Sequence, residues 1–175
     1  MIHIRPEKTE DLVSIDELTR LAFKGEDEVK LVKAIRHSEY FIPELSLVAL
    51  EDNNRIVGHI LFSPVTIESS ENSESVEALA LAPMAVLPER QNSGIGTMLV
   101  RQGLEVCRKL GYTIVIVVGH PEYYPRFGFK PARAHDLEAP FEVPDAAFMA
   151  LELVPGALTN VRGVVKYNPA FDSVL

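Results

Sequence analysis

Between Ala78 and Val118 the chain sets an apolar run, a polar turn with two glycines, an amphipathic segment and a second apolar run in succession. Few folds accommodate that order. Ala78 to Val86 has the composition of a strand buried on both faces. Gly94 to Leu110 carries Ile95, Met98, Leu99, Val106, Cys107 and Leu110 on one stripe, with Arg101, Glu105, Arg108 and Lys109 elsewhere, which predicts a helix stopped at Gly111. Thr113 to Val118, rich in valine and isoleucine, is a second buried strand. Two such strands around a helix form a βαβ unit, whose right-handed connection makes the strands parallel.

The flanking sequence extends this unit into a mixed sheet. Ile2 to Arg5 alternates as a short strand that stops at Pro6. Thr9 to Phe23 places Leu12, Ile15, Leu18, Leu21 and Ala22 on one helical face, and Glu26 to Arg36 repeats the spacing through Val29, Leu31, Val32 and Ile35 after a break at Lys24-Gly25. Leu45 to Glu51 and Arg55 to Ile67 form an antiparallel hairpin turned by Asp52-Asn53-Asn54, with Pro64 expected to end or bulge its second arm. Glu68 to Glu77 is a polar loop. Pro121 to Phe127 reads as a short helix and Phe129 to Arg133 as the start of a strand. Phe148 to Leu153 and Gly163 to Tyr167 are two more strands about a Pro155-Gly156 turn, and residues 134–147 are an ordered loop. A length of 175 residues favours one α/β (α+β) domain, 1–175, with its core over about 2–133 and C-terminal strands and loops over 134–175.

Twenty-five acidic against 17 basic residues give a formal net charge of -8, the wrong sign for a polyphosphate backbone, so nucleic acid is set aside as a partner. The apolar runs fall far short of the roughly 20 residues that cross a bilayer, and the charged N-terminal segment does not resemble a signal peptide. The one cysteine, Cys107, lies on a helical stripe. These features lead us to expect a cytoplasmic protein without a membrane partner. The histidines at 3, 37, 59, 120 and 135 show no ligand spacing, so no metal is expected.

The segment Gln91-Asn92-Ser93-Gly94-Ile95-Gly96 lies between the buried strand and its helix. Glycines there clear side chains from a helix start whose N–H groups lack partners, and the helix dipole adds partial positive charge, which suits a phosphate or pyrophosphate. Neither G-x-x-x-x-G-K-[ST] nor G-x-G-x-x-G occurs, which argues against ATP, GTP and NAD.

This segment resembles the acyl-CoA-binding signature of the GNAT superfamily of N-acetyltransferases, [RQ]-x-x-G-x-[GA], matched by Gln91, Gly94 and Gly96. Tyr123-Tyr124-Pro125-Arg126-Phe127-Gly128-Phe129 is similar to the family's aromatic segment after the fifth strand, and the strands after Phe148 resemble a small bacterial branch. The resemblance implies the GNAT-type acyl-CoA N-acyltransferase fold: a central mixed twisted sheet flanked by helices, with splayed fourth and fifth strands. It also implies an N-acetyltransferase with acetyl-CoA as acyl-donor cosubstrate. Met84, Ala85 and Val86 would line the pantetheine, Met84 and Val86 bonding it through their main chains. Gln91, Asn92, Ser93, Gly94, Ile95 and Gly96 would hold the pyrophosphate mainly through backbone N–H groups, with Thr97 adding a hydroxyl. Tyr124 would protonate the departing thiolate after direct attack by a primary amine in a ternary complex, with Tyr123 its competitor.

For the base, His120 has a suitable reference pKa near 6.5, with Glu77 and Glu122 as rivals. Glu26 and Glu28 fall in the region of the acceptor pocket and are candidates for binding a cationic substrate. The expected acceptor is a small-molecule or peptide amine, and the C-terminal strands leave a homodimer open. A non-catalytic acyl-CoA sensor or regulatory module is the alternative, which the retained Tyr124 disfavours.

Overall fold

Three α-helices and nine strands are present among the residues described by the computed structural model, 1–69, 71–72 and 74–174. In order they are β1 (His3–Pro6), α1 (Leu12–Phe23), α2 (Asp27–Arg36), β2 (Ser46–Leu50), β3 (Ile56–Glu68), β4 (Ser75–Val86), α3 (Ile95–Lys109), β5 (Ile114–Val118), β6 (Lys130–Pro131), β7 (Leu137–Glu138), β8 (Phe148–Glu152) and β9 (Gly163–Tyr167). The chain divides into two compact units that interleave along the sequence. Unit 1 takes Met1–Ser63, Ala82–Val106 and Ala170–Val174, and unit 2 takes Pro64–Leu81 and Cys107–Pro169.

In unit 1 the strands follow the order β1-β2-β3-β4. The β2–β3 hairpin turns as the asparagines predict: the Asn54 N–H donates to the Glu51 carbonyl at 2.9 Å, and Asn54 takes a left-handed φ of 64°. Helix α1 begins later than its pattern suggests, after a 3-10 turn at Thr9–Asp11, and buries Ile15, Leu18 and Thr19 while Leu21 stays half exposed. Its left-handed terminus is Lys24 (φ 57°), one residue before the glycine expected to break it. Helix α3 likewise turns a different face inward. Leu99, Val100 and Leu104 are buried with Ile95, whereas Met98 is 41% exposed. The reason is close approach to β3. A Cβ on Gly58 would lie 2.8 Å from Leu99 Cδ1, and one on Gly103 only 2.4 Å from Phe62 Cε1, so two hydrogens let the helix settle onto the strand.

In unit 2 the order is β4-β5-β8-β6, with β9 added to β3 and β7 paired with β9. β4 and β5 are parallel and in register at Leu79↔Val115 and Ala80↔Ile116. β5–β8 and β6–β8 are antiparallel. Pairing of β4 with β5 stops at Ala80, although β4 continues to Val86 and β5 to Val118. Pro64 neither ends nor bulges β3, which runs on to Glu68, because β2 pairs as far as Leu61 and β9 takes over at Val65. The missing N–H falls between two partners. The 134–147 segment contains more structure than expected: the strand expected over Phe129 to Arg133 spans only Lys130–Pro131, and β7 follows a 3-10 turn at Ala132–His135.

Unit 1 also encloses a polar cluster that no motif announces. Arg36 grips the Glu7 carboxylate from Nε at 2.8 Å and Nη2 at 3.1 Å, and the Ser46 hydroxyl donates to the same carboxylate. With its proton so committed, the Ser46 oxygen accepts from His59 Nε2–H at 2.8 Å. His59 lies 3.6 Å from Glu7, too far to bond directly, and its Nδ1 has no partner among the described residues. The Ser46–His59–Glu7 set is closed to water and cannot serve as a nucleophile, since Ser46 and His59 are fully buried.

Burial alone would raise the Glu7 carboxyl, but the Arg36 guanidinium and the Ser46 hydroxyl bonded to it outweigh burial and hold the group well below the usual carboxylate range. Burial pushes His59 below its ordinary 6.5 and keeps it neutral. Both groups bind protons more weakly folded than unfolded, so stability rises with pH through their titration range. We expect the melting midpoint to fall as pH drops below 6.5, when unfolded His59 protonates, and more steeply below 4.5, when unfolded Glu7 does. Calorimetry of wild type and His59→Gln checks this: the variant should lose the upper part of the fall and keep the lower.

Candidate active site

The turn after β4 is anchored within unit 1 before it opens. The Leu87 N–H donates to the Val57 carbonyl at 2.9 Å, and Arg90 Nε to Glu51 at 2.8 Å. The Gln91 side-chain amide then bonds the Val86 carbonyl at 3.1 Å, tying the loop across its base, and the Ser93 hydroxyl donates to the Arg90 carbonyl. Asn92 (φ 63°) and Gly94 (φ 89°) are both left-handed, and such alternation turns neighbouring N–H groups to one side. Helix α3 starts at Ile95, and the Met98 N–H closes on the Gly94 carbonyl at 3.0 Å. The N–H groups of Ile95 and Gly96 thus precede the helical ladder. A Cβ on Gly94 would meet nothing within 4 Å, so the residue is glycine for its φ, and the space beside it is open. The first N–H groups of a helix, beside open space, fit a pyrophosphate.

Along β4, Met84 and Val86 are half buried while Ala85 is buried, so the first two share one face. The resemblance gives Val86 a main-chain bond to pantetheine, and in this structure its carbonyl accepts the Gln91 side-chain amide. Gln91 and Ser93 turn their side chains into the loop and shape it.

In unit 2, β5 leads through Gly119 into the tyrosine segment. The His120 carbonyl accepts the Tyr123 and Tyr124 N–H groups at 3.1 and 3.3 Å and starts a 3-10 turn over Tyr124–Phe127, which ends at left-handed Gly128. Tyr124 is 7% exposed, edge-on to Tyr123 at 5.1 Å and to Phe129 at 5.6 Å. Tyr123 stays partly exposed under the Arg126 guanidinium, 4.4 Å from its ring centre. Of the two tyrosines, Tyr124 is the one held inside. Burial pushes its phenol well above the usual 10, so it is a protonated donor at neutral pH.

Sequence reasoning missed Gly119, which makes that placement work. A Cβ there would sit 2.5 Å from Tyr124 Cε2. The available signal was a glycine ending a buried strand five residues before the tyrosine. Gly119→Ala forces the ring aside, and we expect about 1–3 kcal/mol of destabilisation with a loss of turnover of roughly tenfold or more. Denaturant unfolding and steady-state rates check it, and unchanged rates in a folded variant would detach Tyr124's position from activity.

His120 and Tyr124 are thus brought together, but Glu77 is not. The register of β4 on β5 sets Glu77 level with Thr113, at the start of β5, whereas His120 follows its end, about 17 Å or more along the strand. His120, Glu77 and Glu122 are all exposed. Glu26 and Glu28 also part company. Glu26 lies on the surface, held by Arg20, while Glu28 has one carboxylate oxygen out of water. Burial pushes the Cys107 thiol up to about 12, which removes it as a nucleophile at neutral pH. Among the described residues no group of three or more His, Cys, Asp or Glu is placed to hold a metal ion, and no helix is long and apolar enough to cross a membrane.

A family model described as an acetyltransferase (GNAT) domain matches residues 3–132. The N-acetyltransferase YhbS of Escherichia coli K12 is 34% identical over 169 residues, 97% of this chain and 98% of its own. Its crystal structure in complex with CoA matches with a TM-score of 0.89 over 98% of this chain and 92% of that one. A GNAT family acetyltransferase from Brucella melitensis, in complex with acetyl-CoA, is 35% identical and matches with a TM-score of 0.78 over 98% and 99% of the two chains. With a family model over residues 3–132 and a 34% identical relative matched over nearly the whole of both chains, the chain belongs to the GNAT family of N-acetyltransferases.

Proposed function

We propose that the acetyl group passes from acetyl-CoA directly to a primary amine in a ternary complex, without an acyl-enzyme. The observation that carries this reading is the 91–96 turn, where left-handed Asn92 and Gly94 lead into the start of α3 and the space beside Gly94 is open. The N–H groups of this turn, with Thr97, hold the pyrophosphate, and Met84, Ala85 and Val86 line the pantetheine, with a main-chain N–H around Val86 stabilising charge on the thioester oxygen. The amine nitrogen bonds to the acetyl carbon, and the carbon–sulfur bond breaks. Tyr124 gives its proton to the sulfur, and His120 takes one from the amine. Cytoplasmic location is part of the proposal, supported by a single buried thiol.

The reading is tested by thiol release from acetyl-CoA with a panel of primary amines and matched alcohols. Amine-dependent release without a burst of acyl-enzyme is expected. Release unaffected by any amine would overturn it.

A further inference from the structure

The 91–96 turn does not leave β4 directly. A 3-10 turn at Pro88–Arg90 comes between them, with Arg90 as its last residue. That residue joins the two: its N–H donates to the Leu87 carbonyl at 2.8 Å, and its carbonyl accepts the Ser93 hydroxyl from inside the 91–96 turn. Where the Arg90 backbone stands therefore sets where the next turn starts. Its side chain is fixed from another element, the end of the β2–β3 hairpin, where Glu51 accepts Arg90 Nε–H at 2.8 Å. Glu51 is itself held within the hairpin loop, donating its N–H to the Arg55 carbonyl at 3.0 Å and accepting the Asn54 N–H at 2.9 Å. A second pair of opposite polarity links the same two elements, Arg55 Nη2 to Glu89 Oε1 at 2.6 Å. All these residues belong to unit 1.

The Glu51 and Arg90 side chains are 26% and 37% exposed, and pairs so open to water contribute little to folding. Their effect is on position. A segment held at its base is ordered before a ligand arrives, whereas a free one must be ordered by the ligand, at a cost in affinity. Resting on the reading of the 91–96 turn as the pyrophosphate site, we propose that Glu51 is a positioning residue for acetyl-CoA, acting through Arg90 rather than on the cofactor itself. The sign of its effect is diagnostic. A carboxylate near a phosphate-bearing ligand repels it, so charge alone makes the loss of Glu51 strengthen binding. Positioning makes the same loss weaken it.

Calorimetric titration of the full chain with CoA reads this through Glu51→Ala, Arg90→Ala and the double variant. Each single variant should bind CoA about threefold to tenfold more weakly, and the double no more weakly than either, because both remove the same contact. Melting midpoints should stay within about 4 °C of wild type, as for an exposed pair. With an amine that supports turnover, KM for acetyl-CoA should rise by the same factor while kcat at saturation is unchanged.

Tighter binding by Glu51→Ala beside weaker binding by Arg90→Ala, the pattern of charge alone, overturns the assignment, as do unchanged affinities or additive losses. A midpoint loss far beyond that range makes the pair a folding element and also overturns it. Failure of the underlying reading is separable: Gly94→Ala, which strains the left-handed turn residue itself, would then bind CoA as wild type does. Weakened binding in Gly94→Ala with unchanged binding in Glu51→Ala rejects the positioning role alone.

Discussion

Tyr124→Phe should lower kcat by about 10²–10⁴-fold while leaving acetyl-CoA affinity within a fewfold of wild type. The thiolate is the leaving group of the reaction, and a phenol held protonated by burial is suited to meet it. Phenylalanine keeps the ring that packs against Tyr123 and Phe129 and fills the space above Gly119, so it removes the proton and little else. Rapid-quench rates with saturating substrates, beside calorimetric titration of CoA, separate the two effects. A variant that keeps its rate would move the acid elsewhere, with Tyr123 next in line. Tyr123→Phe should be nearly silent.

Arg36→Met should cost about 3–5 kcal/mol of folding stability, the usual penalty for stranding one member of a buried pair. Glu7 and Arg36 are 8% and 11% exposed at their side chains, and the guanidinium makes two bonds to the carboxylate. Without it, Glu7 must either take up a proton or remain charged beside Ser46 and neutral His59. For a chain of this size the loss corresponds to roughly 6–20 °C in midpoint. Glu7→Met with Arg36→Met should recover much of it, because two apolar side chains leave no charge to solvate. Chemical denaturation of the two single variants and the double gives the coupling. Additive losses would show that the pair contributes little as a pair.

The parts legible in sequence are those governed by local pattern. The βαβ order over residues 78–118, the asparagine hairpin turn and the glycine-bearing helix start follow from residue chemistry over a few positions, and β4 and β5 pair in parallel as expected. The parts that escaped depend on partners distant in the chain. Pro64 stays within a strand because β9, a hundred residues later, replaces β2 there. Met98 and Leu21 fit an apolar stripe yet stay half exposed, because Gly58 and Gly103 decide how α3 is rotated on β3 and the 3-10 turn resets the start of α1.

The site divides in the same way. The turn at 91–96 was readable as a glycine-bearing helix start because backbone geometry is encoded locally. Glu77 was not, because only the register shows that it sits at the opposite end of β5 from His120. Glu26 and Glu28 look alike in a helical first turn, and only Arg20 on one and the buried stripe behind the other tell them apart.

The central claim is that the 91–96 turn holds the pyrophosphate of acetyl-CoA, and the direct measurement is a thermal melt with acetyl-CoA, with ATP and NAD as controls. Ligand at about 100 times its dissociation constant adds roughly 2.7 kcal/mol, which for this length is about 5–11 °C. A shift of that order with acetyl-CoA and none with NAD or ATP is the predicted result. A folded, monodisperse protein whose midpoint does not move with acetyl-CoA would contradict the account.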